Sequence, residues 1–329
     1  MAAVVVAVFV FFLPRIADYR DVWAELRDLG WQGWLLVAGA TLLNLATFPP
    51  PWMAALPGLG YRQALVMTQA STALSIVAPA GAAVGVAASY SMLRSWGFAP
   101  GPVGLAVAVT GIWNQLSNLA FPLVALALLT AAGEEHPALL TAALVGVAVL
   151  TVALGVFGLA LSSAHRARRL GHFAARVAGR ARRLLRKGPV SWGGESFGRF
   201  RADALGLLER RWHVITAATL LGHLTVFVLL LVCLRAVGVS DSEISWIEAF
   251  AAWSLIRILG AFPLTPGGLG IVEIGLTGAL VAFGAPNAEA VAATLLYRAL
   301  TVLPTLALGL LAAATWRTHH PGEHLESSK

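Results

Sequence analysis

This chain carries little charge. Only 12% of its 329 residues are Asp, Glu, Lys or Arg, against 58% hydrophobic residues and a mean hydropathy of +0.77. A soluble domain has roughly 25% charged residues, so the scarcity excludes one and points to a polytopic membrane protein. Sulfur is scarcer still. The single cysteine, Cys233, sits in an apolar run, which excludes a disulfide framework and a cysteine-based metal site. The eight histidines are scattered, and the cluster His319, His320 and His324 reads as a solvated tail. No Walker A motif and no nucleophile elbow occurs, and the one histidine pair four residues apart, His320 and His324, spans Pro321-Gly322 and so does not read as a metal-binding helix. The chain is therefore not expected to be an enzyme, to bind a metal or cofactor, or to draw energy from ATP by itself. Residues Ala2 to Leu13 lack a basic leading segment and do not read as a cleavable signal peptide.

The charge that is present is concentrated. Residues 163–213 contain thirteen of the 23 Lys/Arg and three of the 16 acids, a local balance of +10 that leaves −3 elsewhere. Such a loop belongs in the cytoplasm, against anionic lipid, and does not imply nucleic acid. Its first part, Ala164 to Lys187, reads equally as an amphipathic surface helix or as a solvated loop. The chain accordingly divides into an N-terminal membrane half (1–162), the basic segment (163–211), a C-terminal membrane half (212–316) and a polar tail (317–329).

Two segments repeat. Pro79-Ala80-Gly81 leads into an apolar stretch ending at Gly97, and Pro266-Gly267-Gly268 into one ending at Gly284. Pro79 stands as far from Pro266 as Gly97 stands from Gly284, so the two stretches align without a gap. A Pro/Gly break interrupts a helix, and lipid tolerates broken backbone only where protein or a wet cavity satisfies it. With residues 163–213 placed in the cytoplasm, the acidic turns at Glu134-Glu135 and Asp241 to Glu243 fall outside. The helical limbs around Pro79 then start and end inside, and those around Pro266 start and end outside. The expected fold is an all-α polytopic helical bundle with two inverted-topology repeats, each containing a Pro/Gly-broken re-entrant helix pair.

Polar residues cluster about these breaks. A helix starting after Gly267-Gly268, and more weakly one after Gly81, presents unpaired N–H groups that favour an anion. Glu273 lies in the first turns of the second such helix, with Arg257 and Arg298 as the other deep charges of its half. Glu273 pairs with either arginine; spacing does not choose. Aligning the repeats places Val86 where Glu273 stands and leaves Arg94 as a cation of the first half. Three polar stripes at helical spacing fit either a polar pathway or helix–helix hydrogen bonding. They are Thr68, Ser71, Thr72 and Ser75; Thr110, Asn114, Ser117 and Asn118; and Thr294, Arg298, Thr301 and Thr305.

The segment Pro263-Leu264-Thr265-Pro266-Gly267-Gly268-Leu269-Gly270-Ile271-Val272-Glu273 resembles the signature of the lysylphosphatidylglycerol synthase transmembrane (flippase-like) family. Tyr297-Arg298, Pro304 and Gly309 resemble its last span, and the similarity runs from about Leu35 to Ala314. The resemblance implies a helical bundle that moves lipid or lipid-linked headgroups. By position it carries over Pro266, Gly267, Gly268, Gly270, Glu273 and Arg298. Two departures stand out. Ala82 to Ala88 contains neither the acid nor the arginine that many members have after the first break. The stretch to Lys329 offers no aminoacyl-transferase domain, so lysyl transfer is not implied.

These readings converge on a plasma-membrane lipid translocase with its basic loop and C-terminus in the cytoplasm. Its partner is an anionic phospholipid or a polyprenyl-phosphate-linked headgroup. The expected binding residues are Pro79, Gly81, Arg94, Asn114, Asn118, Arg257, Pro266, Gly267, Gly268, Gly270, Glu273 and Arg298. Glu273→Gln is expected to reduce transport and leave folding largely intact. The alternative is a membrane scaffold for a separate lipid-modifying enzyme, docked through the basic segment.

Overall fold

The computed structural model describes residues 29–78, 80–133, 137–163, 194–260 and 268–316, with isolated positions between 20 and 27 and between 165 and 179. The expected first span at Ala2 to Ile16, most of the basic segment, and the break residues Pro79, Pro266 and Gly267 lie outside them. The described residues are almost wholly helical and include no strand.

The helices are α1 (Trp31–Ala46), α2 (Pro49–Ala55), α3 (Tyr61–Val77), α4 (Gly81–Ser95), α5 (Pro100–Ala131), α6 (Pro137–Ser162), α7 (Gly194–Ala236), α8 (Trp246–Gly260), α9 (Ile271–Ala282) and α10 (Asn287–Thr315). Four stretches are long and apolar enough to cross a membrane: Trp31–Ala55, Pro100–Ala131, Gly198–Ala236 and Asn287–Thr315. Pro49-Pro50-Pro51 does not merely interrupt one span. Proline is tolerated in a helix's first turn, where its missing N–H has no intrahelical partner to lose. The triplet therefore opens the short helix α2.

The sequence repeat continues into the hydrogen bonds. At the end of α4, Gly97 N–H donates to Arg94 O and Phe98 N–H to Leu93 O; at the end of α9, Gly284 N–H donates to Val281 O and Ala285 N–H to Leu280 O. These are the two bonds of a Schellman cap. Every donor and acceptor of the first cap has its counterpart in the second at the offset that relates Pro79 to Pro266. The helices that follow, α5 and α10, begin at Pro100 and Asn287, again at that offset.

Packing follows the same correspondence. Helices α3 and α4 form one hairpin and α8 and α9 another. Each hairpin's first limb packs on the other repeat's long helix: α3 on α10, and α8 on α5. The α3–α10 approach depends on Gly309, where a Cβ would lie 2.3 Å from Ala73 Cβ and 3.0 Å from Gln69 O. Within the first hairpin, a Cβ on Gly85 would lie 2.8 Å from Ser71 O, so the bare backbone of α4 lies directly on α3. Small residues allow this kind of close packing between membrane helices.

The break itself forces left-handed backbone. Ala80, ahead of α4, has φ 55°, the one non-glycine residue with positive φ among those described. The left-handed conformation costs an L-residue about 1–2 kcal/mol.

Two apolar cores result. The larger joins α7, α8, α9, the first half of α10 and the second half of α5, with Val37 and Ala40 of α1. The smaller joins α2, α3, α4 and the first half of α5, with Ala204 and Ile215 of α7 and Ala312 of α10.

Candidate functional site

A cavity of about 440 Å³ opens among α1, α2, α3, α4, α5, α7, α8 and α10. Its walls come from Asn44, Thr47 and Trp52 of the α1–α2 stretch; Thr72 and Val86 of the first hairpin; and Thr110 and Asn114 of α5. Thr219 and His223 of α7, Arg257 of α8, and Tyr297, Arg298 and Thr301 of α10 complete it. A groove of about 500 Å³ between α5 and α6 is lined by leucine, valine and alanine apart from Thr130. It offers nothing to hold a charged group.

The cavity's two arginines are held differently. Arg298 Nε donates to Glu273 Oε1 at 2.8 Å. Glu273 is 1% exposed, and its second oxygen accepts the Gly270 N–H at 2.6 Å. Both oxygens accept, and the Arg298 guanidinium can only donate, so the two side chains form an ion pair. Glu273 stands three residues into α9, where a carboxylate reaching back to the cap N–H satisfies a donor the helix leaves open. The helix start does attract an anion, and that anion is the chain's own side chain. Gly268 and Gly270, at φ 68° and 87°, shape the backbone that allows it.

Arg257 has no carboxylate partner among the described residues. Its Nε donates to Asn118 Oδ1 at 3.1 Å and its Nη2 to His223 Nδ1 at 2.5 Å. A guanidinium only donates, so His223 Nδ1 must accept and the imidazole is neutral, with its proton on Nε2. The guanidinium carbon lies 5.3 Å from the Trp253 ring centroid, a cation–π arrangement. Trp253 in turn packs with Phe121, Phe227 and Phe250. Arg257 is thus fixed by neutral partners and keeps its formal positive charge. Two of its five N–H donors are engaged by these bonds.

The expected residues therefore separate. Arg257, Arg298 and Asn114 line the cavity, and Asn118 positions Arg257. Glu273, Gly268 and Gly270 are not in its lining; Glu273, bonded to the Gly270 N–H, holds Arg298 in place. Gly81 is a packing residue: a Cβ there would sit 1.8 Å from Ser75 O. Arg94 lies elsewhere. It is exposed in the last turn of α4 and donates to Phe98 O, closing the cap of its own helix. Pro79, Pro266 and Gly267 fall outside the described residues.

The polar stripes divide too. Thr68, Ser71 and Ser75 bond back to carbonyls of their own helix, and only Thr72 of that stripe reaches the cavity. Thr110 and Asn114 of the second stripe, and Arg298 and Thr301 of the third, line it. The sequence reading missed His223 and Thr219. A histidine within the apolar run of α7 is itself an intramembrane ionisable residue, and that signal was available.

The family model described as lysylphosphatidylglycerol synthase TM region matches residues 1–309. A search of curated proteins finds no match. The matched region is a transmembrane rather than a catalytic one, and with four candidate spans the chain is a multi-pass membrane protein in a lipid-related context.

Proposed function

This chain belongs to the lysylphosphatidylglycerol synthase transmembrane-region family, and on that premise we propose that it is a lipid translocase whose central cavity holds an anionic headgroup. The observation that carries this reading is Arg257. It is a cation at the wall of a cavity, fixed by Asn118, His223 and Trp253 and balanced by no carboxylate among the described residues. Charges inside a membrane are expensive and mark substrate paths or paired sites. This one is positioned without being neutralised, which leaves its counter-charge to a ligand.

The architecture fits the same reading. Helices α3, α4 and α9 have 17, 15 and 12 residues. At ~1.5 Å per residue they reach roughly 18–26 Å, less than the ~30 Å hydrocarbon core. In this proposal the two hairpins are re-entrant and enter from opposite faces, and the repeats are inverted. The headgroup passes between their tips, with residues 163–213 and the C-terminus in the cytoplasm and the plasma membrane as the site of action. Reciprocal packing of α3 on α10 and α8 on α5 is what a pseudo-two-fold axis between the halves requires.

The test is transport in liposomes containing the purified chain and a fluorescent anionic lipid, comparing the unaltered protein with Arg257→Gln. Loss of protein-dependent flipping in a folded variant supports the reading. Unchanged flipping overturns Arg257 as the headgroup site.

A further inference from the structure

Resting on the translocase reading, we propose that the cavity selects a singly charged phosphodiester lipid whose headgroup bears hydroxyls and no amine. Charge is the first ground. Among the described residues two guanidiniums and no carboxylate line the cavity, and the Glu273 carboxylate bonded to Arg298 offsets one of them. One formal positive charge remains, the complement of one phosphodiester. A diphosphate brings more negative charge than this site balances. An ammonium entering the cavity meets like charge and no counter-charge, since Glu273 has both oxygens engaged and is 1% exposed. Like-charge juxtaposition is how a site rejects a wrong partner.

The second ground is an unmet hydrogen bond. Thr219 lines the cavity and is only 6% exposed, and its buried hydroxyl has no hydrogen-bond partner among the described residues. Buried hydroxyls are ordinarily paired, and rotation of this side chain toward the cavity would bring the hydroxyl to a ligand oxygen. Asn44, Thr72, Asn114 and Thr301 add further amide and hydroxyl groups to the same wall. Such a lining suits a polyol.

Volume is the third ground. A space of about 440 Å³ equals roughly fifteen water molecules at ~30 Å³ each. A phosphoglycerol-sized group of about ten heavy atoms fits such a pocket.

The experiment offers the full-length protein an equimolar mixture of phosphatidylglycerol, phosphatidylethanolamine, lysylphosphatidylglycerol and a polyprenyl diphosphate sugar. Retained lipid is read by native mass spectrometry, and flipping of each is read separately in liposomes. Phosphatidylglycerol should be retained over the amine-bearing and diphosphate lipids by roughly tenfold. Thr219→Val, nearly isosteric, should reduce that retention several-fold with its thermal midpoint unchanged. Equal retention of all four lipids, or preference for the lysylated one, overturns the inference and leaves translocation to the flipping data. Selective retention without flipping supports the selectivity and overturns only the translocase reading.

Discussion

Arg298 Nε lies 2.8 Å from Glu273 Oε1, and the other oxygen of that carboxylate accepts the N–H of Gly270. One side chain therefore orients a cavity cation and starts a helix. The two roles cannot be removed separately by Glu273→Ala.

The pair is nearly inaccessible, with side-chain exposures of 14% for Arg298 and 2% for Glu273. Removing one partner of a buried pair costs about 3–5 kcal/mol, because the other is left uncompensated. Glu273→Gln should therefore lower stability by about 3 kcal/mol, contrary to the sequence-based expectation that folding survives largely intact. The double variant Glu273→Gln/Arg298→Met should recover part of the loss. Thermal unfolding in detergent measures both, and additive losses would refute the coupling.

At Gly309 the packing leaves no room for a methyl group. Gly309→Ala should destabilise by about 1–3 kcal/mol through overpacking. Adding Ala73→Gly should return some of it, because Ala73 Cβ is the nearest atom to the new methyl. The Gln69 carbonyl, 3.0 Å away, belongs to backbone and limits the rescue. Unfolding midpoints of the three variants decide the matter.

Arg94→Gln separates capping from transport. The side chain is exposed and serves the last turn of its own helix. A basic group at a helix C-terminus contributes about 0.3–1 kcal/mol. A small drop in melting temperature with unchanged flipping is expected, and loss of flipping in a stable variant would return Arg94 to the binding site.

The acidic turn carries a pH dependence. Ser240 donates its N–H and its hydroxyl to Glu243 Oε2, both at 2.7 Å, and these bonds, the backbone one foremost, hold the carboxyl below its ordinary range. A lowered folded pKa means that the unfolded chain takes up the proton first. The contribution is thus complete above the ordinary carboxylate pKa and fades as pH falls through the lowered value. Amide exchange at Ser240 and Ile244, compared between Glu243 and Glu243→Gln proteins, should converge in acid and differ at neutral pH.

Much of the frame was legible from residue spacing. The shared offset of Pro79 from Pro266 and of Gly97 from Gly284 anticipated two hairpins. The two glycines marked the hairpin ends because a Schellman cap needs left-handed backbone there. Glu273, Arg257 and Arg298 stood out because charge is costly in apolar sequence. The way they join was not legible. Asn118, His223 and Arg257 come from three helices, far apart in the chain. No local periodicity encodes such a meeting. Ser71 and Ser75 show why the stripes left two readings open: a hydroxyl on a helix face serves its own backbone as readily as a cavity.

The crossed packing of α3 on α10 has a consequence for biogenesis. Ala73 lies in the first quarter of the chain and Gly309, the residue it packs against, near its end. At ~5–20 residues per second, the first hairpin waits on the order of ten to fifty seconds for its other wall. During that interval the face of α3 around Gln69 and Ala73 lacks the helix that covers it. The N-terminal half therefore depends on the insertion machinery, or on neighbouring lipid, until synthesis of the last span is complete, and a truncated chain ending before α10 is a natural target for membrane quality control.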